Sequence, residues 1–272
     1  MEEPDRWKSP RPDLARALGE RSPLATRHRC FGTTVREVAG WTIPRSAMTA
    51  DILHQDSRRS GYAPRMALTL YHHPFSRAAA SVWALEEIGE PYELRFVDIM
   101  AGAQKAPDLV ALNPMGKLPV LTDGDAVVTE AAAIALYLAD RYAPGRLAPR
   151  LDDPRRAPYL RWSLFAPSVI EPGSMAKASG WAFKPGQAGW GSYEAMLATM
   201  EAAIAGRDFV LGDTFSMADL IFGGTMRYML RFGLLEPRPT FTAYADRLGA
   251  RPAAQRADAR NAAVMAEHGL TT

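Results

Sequence analysis

Residues 113–121 read NPMGKLPVL. Leu118, Val120 and Leu121 look like a strand entering a core, yet Pro119 stands among them. Proline has no N–H to give to a ladder, so within a sheet it belongs at an edge, a bulge or a strand start. Beyond Pro119 the pattern becomes regular again. KLPVLTDGDAVVT reads as a hairpin with Asp123-Gly124 as its turn. After it, TEAAAIALYLADRY places Ala131, Ile134 and Leu138 on one helical face, and Pro144-Gly145 ends the helix.

Upstream, the first clean strand opens at Met66. ALTLYH alternates through Leu68 and Leu70. Ser76 is a predicted N-cap. Ala78, Val82, Leu85 and Ile88 then recur at helical spacing, and Gly89 supplies a stop. YELRFVD is a second strand and APDLVAL a short helix. The order is βαβαββα. Strands then cease. YLRWSLFAPSVI, SYEAMLATMEAAIA, SMADLIFGGTMRYMLRFG and FTAYADRLGARPAAQRA each read as a helix. Ser216 and Asp219 spell a capping box at the start of the third, with Phe215 and Leu220 as a hydrophobic staple. The expected architecture is a poorly ordered extension over 1–65, a mixed α/β domain over 66–146, a linker over 147–154 and an all-α domain over 155–270.

Composition narrows the function. The chain has 272 residues and a formal net charge of +2, too near zero to favour nucleic acid or an anionic membrane as partner. No apolar run reaches the ~20 residues of a membrane span. The opening MEEPDRWKSP carries acids early and has no apolar core, unlike a secretory signal. Cys30 is the only cysteine, so no internal disulfide forms, compatible with a reducing cytoplasm. Residues 1–65 hold twelve Arg or Lys against eight Asp or Glu, a local excess of four positive charges. A regulatory or docking arm is the sharper reading of that segment.

Four segments in this order, YHHPFSRAAASVWALEEIGEPYE, ALNPMGKLPVL, VTEAAAIALYLADRY and FVLGDTFSMADLIFG, resemble the soluble glutathione S-transferases over roughly Met66 to Gly269. The resemblance is to the bacterial and theta-like members that use a serine. It implies a thioredoxin-like N-terminal domain followed by a helical domain. It also implies a cis bond before Pro119, which turns the N–H and C=O of Leu118 outward to pair, strand-like, with the tripeptide glutathione. Glutathione enters as co-substrate, and no metal is expected.

The chemistry needs the thiolate, since the thiol is a poor nucleophile. At a free pKa of about 8.5, only about 3% is ionised at pH 7; a drop of ~2 units, about 2.7 kcal/mol, makes about three quarters ionised. A hydroxyl donor near helix-end N–H groups is an adequate means. By resemblance the hydroxyl is that of Ser76, which also reads as a plain N-cap. Tyr71 is the runner-up, with His73 and Arg77 as neighbours. His72-His73 is a poor metal pair, because adjacent strand residues point to opposite faces. Glu130 matches the acid that holds the γ-glutamyl ammonium. The family usually follows that acid with a serine; here Ala131 stands there, leaving its N–H and Thr129. Lys117 matches a basic residue near the glycyl carboxylate. Trp181, Phe183 and Trp190, with Phe165 and Met175, are candidates for the wall of an apolar electrophile site between domains.

The resemblance thus implies a cytoplasmic, homodimeric detoxification enzyme that conjugates glutathione to small apolar electrophiles. The alternatives are a non-catalytic glutathione-binding or scaffold protein, or a glutathione-dependent isomerase, peroxidase or dehalogenase on the same fold.

Overall fold

The computed structural model describes residues 68–271, all within one compact unit spanning 62–272. The reading of residues 1–65 and of Met66 lies outside the described residues. The first half runs β1 (Leu68–His72), α1 (Ala78–Ile88), β2 (Tyr92–Phe96), α2 (Pro107–Leu112), β3 (Val120–Asp123), β4 (Ala126–Thr129) and α3 (Ala131–Tyr142), the expected βαβαββα order. The sheet order is β2-β1-β3-β4, with β1 parallel to β2 and the other two pairings antiparallel. Leu68, Leu70 and Leu121 form one buried face and share a core with Val82 and Leu85 of α1 and Ile134 and Leu138 of α3. Gly89 closes α1 at φ 78°, a left-handed conformation that a side chain resists, and its N–H returns to the Leu85 carbonyl.

The second half is helical: α4 (Arg156–Phe165), a π turn (Ala166–Ile170), α5 (Glu171–Ala178), α6 (Tyr193–Ile204), α7 (Met217–Arg231), α8 (Pro239–Gly249) and α9 (Pro252–Glu267). One boundary differs from the sequence reading. FTAYADRLGARPAAQRA is two helices, because Pro252 cannot continue α8 and instead opens α9. A further helix, α5, follows the π turn and carries Met175, so the link to α6 begins at Ser179. The π turn holds Pro167, and a proline lacks the N–H a regular ladder requires. The Asp219 carboxylate is fully buried and anchors the start of α7. It accepts from the Ser216 N–H at 2.8 Å, the Ser216 hydroxyl at 3.0 Å, the Val210 N–H at 2.6 Å and the Tyr244 hydroxyl at 2.6 Å.

Two buried glutamates on α1 fasten the halves together. Glu87 accepts from Trp83 Nε1 at 3.0 Å and takes a two-point bond from Arg251 at 2.7 and 2.9 Å. Glu86 accepts from Tyr92 at 2.6 Å and from Arg256 and Arg260 of α9 at 2.7 and 2.6 Å. Buried carboxylates are tolerable only with partners of this kind. They hold α1 in place from its C-terminal end, and its N-terminal end is where the candidate site lies.

Candidate active site

Strand register assembles the site. Tyr71 of β1 pairs with Val120 of β3, and Val120 pairs with Thr129 of β4. The chain leaves these pairs at His72, Pro119 and Glu130, so the β1–α1 turn, the Leu118–Pro119 bond and the start of α3 lie at the same end of the sheet. All three segments meet at the carboxyl end of β1, where α1 and α3 begin. The Leu118–Pro119 peptide bond is cis. Leu118 is half-buried and Pro119 buried, while Lys117 beside them is exposed.

The approach to that bond is fixed by a residue the sequence reading passed over. Asn113 is buried. Its Nδ2 donates to the Lys117 carbonyl at 2.9 Å and its Oδ1 accepts from the Met115 N–H at 3.1 Å. Its own carbonyl accepts from the Gly116 N–H at 2.9 Å. Gly116 stands at φ 59° to let the loop close. Asn followed by a proline-glycine loop is a legible turn signal, so this role was within reach of the sequence.

Ser76 lies in the turn between β1 and α1. Its hydroxyl donates to the His73 carbonyl at 2.8 Å and accepts from the Ala78 N–H at 3.1 Å. The capping oxygen is therefore present as expected, although the cap position falls on Arg77. The hydroxyl has one hydrogen, and it is committed to His73. The His73 ring is fully buried. Its Nδ1 accepts from the Phe75 N–H at 3.1 Å, so the ring proton resides on Nε2. Burial, opposed by Asp98 and reinforced by His268, holds this imidazole below its ordinary pKa. Burial likewise takes His72 down to about 4, against a hydrogen bond to Asn261 at 2.7 Å.

Glu130 is exposed and precedes α3 at φ 67°, ψ 121°. Positive φ at a residue with a side chain costs about 1–3 kcal/mol and is held where surroundings demand it. Here it separates the last strand residue, Thr129, from the first helical residue, Ala131. Tyr71 points elsewhere. Its hydroxyl lies 3.4 Å from Arg95 Nη1 on β2, the strand on the opposite side of β1 from Pro119.

This arrangement recurs in known proteins. Residues 66–140 match the glutathione S-transferase N-terminal domain and residues 184–247 the C-terminal domain. Glutathione S-transferase 3 of Zea mays is 30% identical over 212 residues, 70% of this chain and 92% of that protein. The chain belongs to the glutathione S-transferase family of enzymes. Glutathione S-transferase F10 of Arabidopsis thaliana is 28% identical, covering 69% of this chain and 94% of the relative. Among solved structures, the theta class glutathione S-transferase from Xanthomonas axonopodis pv. citri, with glutathione bound, aligns at a TM-score of 0.59 and 30% identity. That alignment covers 70% of this chain and 96% of the other. The URE2P6 transferase of Phanerochaete chrysosporium, in complex with oxidized glutathione, aligns at 0.61 and 26% identity over 72% and 97% of the two chains.

In this transferase the aromatic candidates are dispersed. Phe165 packs inward on Trp162 and Phe222, with ring centroids 5.3 and 6.4 Å away. Trp181, Phe183 and Met175 are exposed. Phe183 meets Trp190 edge-on at 5.5 Å. The side chain that spans the two domains beside Ser76 is instead Arg77. Its Nε and Nη2 grip the Glu171 carboxylate at 3.0 and 3.2 Å, and its guanidinium lies 3.9 Å from the centre of the Tyr228 ring. Burial alone would lower the guanidinium's pKa, and Glu171 more than compensates. Glu171 is the first residue of α5, directly after the π turn, and Tyr228 lies on α7. Partners 94 and 151 positions away leave no local signal in a sequence. Among the described residues no group of three or more His, Cys, Asp or Glu is placed to hold a metal ion, and no helix is long and apolar enough to cross a membrane.

Proposed function

We propose that the protein binds glutathione at the junction of 72–77, 117–119 and 129–131, stabilises its thiolate through Ser76, and conjugates it to small apolar electrophiles. What supports this reading is the cis Leu118–Pro119 bond at the end of the sheet where the Ser76 turn and Glu130 also lie. The N–H and C=O of Leu118 pair with the extended backbone of the tripeptide. The Glu130 carboxylate receives the γ-glutamyl ammonium. The γ-glutamyl carboxylate takes the Ala131 N–H, one of the first-turn donors of α3 without an intrahelical acceptor. Thr129 adds a neighbouring hydroxyl, and Lys117 serves the glycyl carboxylate. An alanine at 131 removes one hydroxyl contact, worth about 1 kcal/mol of affinity.

For Ser76 to act, its proton leaves the His73 carbonyl and turns to the sulfur, while its oxygen keeps the Ala78 N–H. The adjoining start of α1 adds its positive end. His73 is neutral with Nδ1 occupied, so the thiol proton departs to solvent. The thiolate then attacks the electrophilic carbon, the S–C bond forms, and the leaving group departs or the π pair shifts. We extend the reading to a cytoplasmic homodimer with a detoxifying role.

Two observations favour a second reading, a glutathione-binding scaffold: Ala131 lacks a hydroxyl, and the Ser76 hydroxyl is committed to the His73 carbonyl. Turnover of glutathione with chlorodinitrobenzene separates the two. The enzyme reading expects conjugation that drops in Ser76→Ala. Measurable glutathione binding without turnover in the unaltered chain sinks it in favour of the scaffold.

A further inference from the structure

We infer that Asn261 of α9 is a positioning residue for Ser76: its amide braces both ends of the turn from which the Ser76 hydroxyl hangs. The inference rests on the reading of Ser76 as the donor to the glutathione sulfur, and it adds a distant residue to the support of that same site.

The Ser76 oxygen is suspended between two elements. It donates to the carbonyl of His73, just past β1, and accepts from the N–H of Ala78, the first residue of α1. Its place therefore depends on how far apart those two groups stand. Asn261 bonds one residue outside each of them. Its Oδ1 accepts from His72 Nε2 at 2.7 Å, and its Nδ2 donates to the Ala79 carbonyl at 3.4 Å. Chemistry fixes the way the amide faces. A carbonyl only accepts, so Nδ2 turns to Ala79 and Oδ1 is left for an imidazole N–H. The His72 ring is fully buried, and its Nδ1 has no partner among the described residues. Asn261 thus supplies the hydrogen bond that holds the ring.

The course of α9 brings Asn261 to this spot. Arg251 meets Glu87, Arg256 and Arg260 meet Glu86, and Asn261 meets Ala79. Forward along α9 is backward along α1, so the helices run antiparallel and Asn261 arrives at the Ser76 end. Past Asn261, His268 stacks on Phe96, with ring centroids 3.6 Å apart and planes 9° apart. Phe96 pairs with His72 across the sheet and lies 5.3 Å from the His73 ring. A directional amide between two elements sets a defined separation, which apolar packing alone does not.

Ser76 acts through distance. A hydrogen bond to the thiolate weakens as the hydroxyl oxygen moves away, and a shift of about 1 Å transmitted from afar is enough to cost ~100-fold in rate. Without the Asn261 amide, the end of β1 and the first turn of α1 lose their common partner, and the Ser76 oxygen loses its fixed place between them.

The test is a double-mutant cycle on the pKa of bound glutathione, followed by thiolate absorbance, in the unaltered chain, Asn261→Leu, Ser76→Ala and the two combined. Asn261→Leu is expected to raise that pKa by about half to all of the shift that Ser76→Ala produces, with kcat/KM falling about tenfold per unit at pH values below it. In the Ser76→Ala background it is expected to add almost nothing, because the group it positions is gone. Glutathione affinity at about pH 5.5, where the protonated thiol binds, is expected to stay within about threefold. His72→Gln, which keeps a donor for Asn261, is expected to shift the pKa less than His72→Leu. Asn261→Ala is made as well, and urea denaturation of each variant ensures that a folded one is read. An unmoved pKa in a folded but less stable Asn261 variant shows a brace for stability alone and overturns the inference. An equal shift with and without Ser76 overturns it too. A Ser76→Ala protein whose bound thiol titrates as in the unaltered chain overturns the reading of Ser76, and the inference with it.

Discussion

Replacing Ser76 with alanine should raise the pKa of bound glutathione by about one unit rather than abolish the thiolate. The hydroxyl hydrogen is already spent on the His73 carbonyl at 2.8 Å. Turning it to a thiolate gains a hydrogen bond to a charged acceptor, about 1.5–3 kcal/mol, and forfeits a neutral one of about 1 kcal/mol. The net of about 0.5–2 kcal/mol corresponds to about 0.4–1.5 pKa units. On the proposed reading the start of α1 would supply the rest of the depression and survive the substitution. The thiolate is followed by its ultraviolet absorbance as enzyme saturated with glutathione is titrated with alkali, and kcat/KM is measured over the same pH range. In the variant both curves should move to higher pH together by the same amount. The alanine also loses the Ala78 N–H contact, so a fall in stability of about 1 kcal/mol is expected alongside. An unmoved titration curve would show that Ser76 serves only the turn. A shift of the full two units would show that the helix end contributes nothing.

Other parts of the molecule give three further expected outcomes. Arg251→Ala strands the buried Glu87 with Trp83 as its remaining hydrogen-bond donor and should cost ~3 kcal/mol, read by urea denaturation. Stability should fall as pH drops from 6.5 toward about 4, because His72 stays neutral when folded but takes a proton when unfolded. The unfolded chain binds more protons in that window, so the slope is positive in pH and amounts to about 3 kcal/mol in total; His72→Leu should flatten it in denaturation curves taken across that range. Gly223→Ala drives a methyl into Leu248 and to 2.9 Å from Tyr244 Cε1, and should lower the melting temperature through ~1–3 kcal/mol of overpacking.

The order of elements was legible because each carries its own period. Leu68 and Leu70 alternate, Val82, Leu85 and Ile88 recur at helical spacing, and Asp123-Gly124 marks the hairpin turn. The position of Pro119, together with the family resemblance, pointed to the cis bond that is present. Ser76, Leu118 and Glu130 were singled out one by one, and the pairing of β3 with β1 and β4 puts their three segments at one end of the sheet. What escaped was nonlocal. The roles of Glu86 and Glu87 have no sequence signal, since nothing near them announces Arg251, Arg256 and Arg260. Glu171, which grips Arg77, follows a π turn after Phe165 that residue periodicity does not reveal. Trp181 and Phe183, named as candidates for the electrophile wall, are both exposed. The ring that the Arg77 guanidinium covers, Tyr228, belongs to α7, and nothing local in the sequence links the two.

Calorimetric titration of the full chain with reduced glutathione, run beside Glu130→Gln, addresses the site most directly. Saturable heat at one site per chain is expected below millimolar concentration, weakened roughly tenfold or more in the variant through loss of a charge-assisted contact. No heat at millimolar glutathione, or equal affinity in both proteins, would contradict the placement of the tripeptide across Leu118 and Glu130.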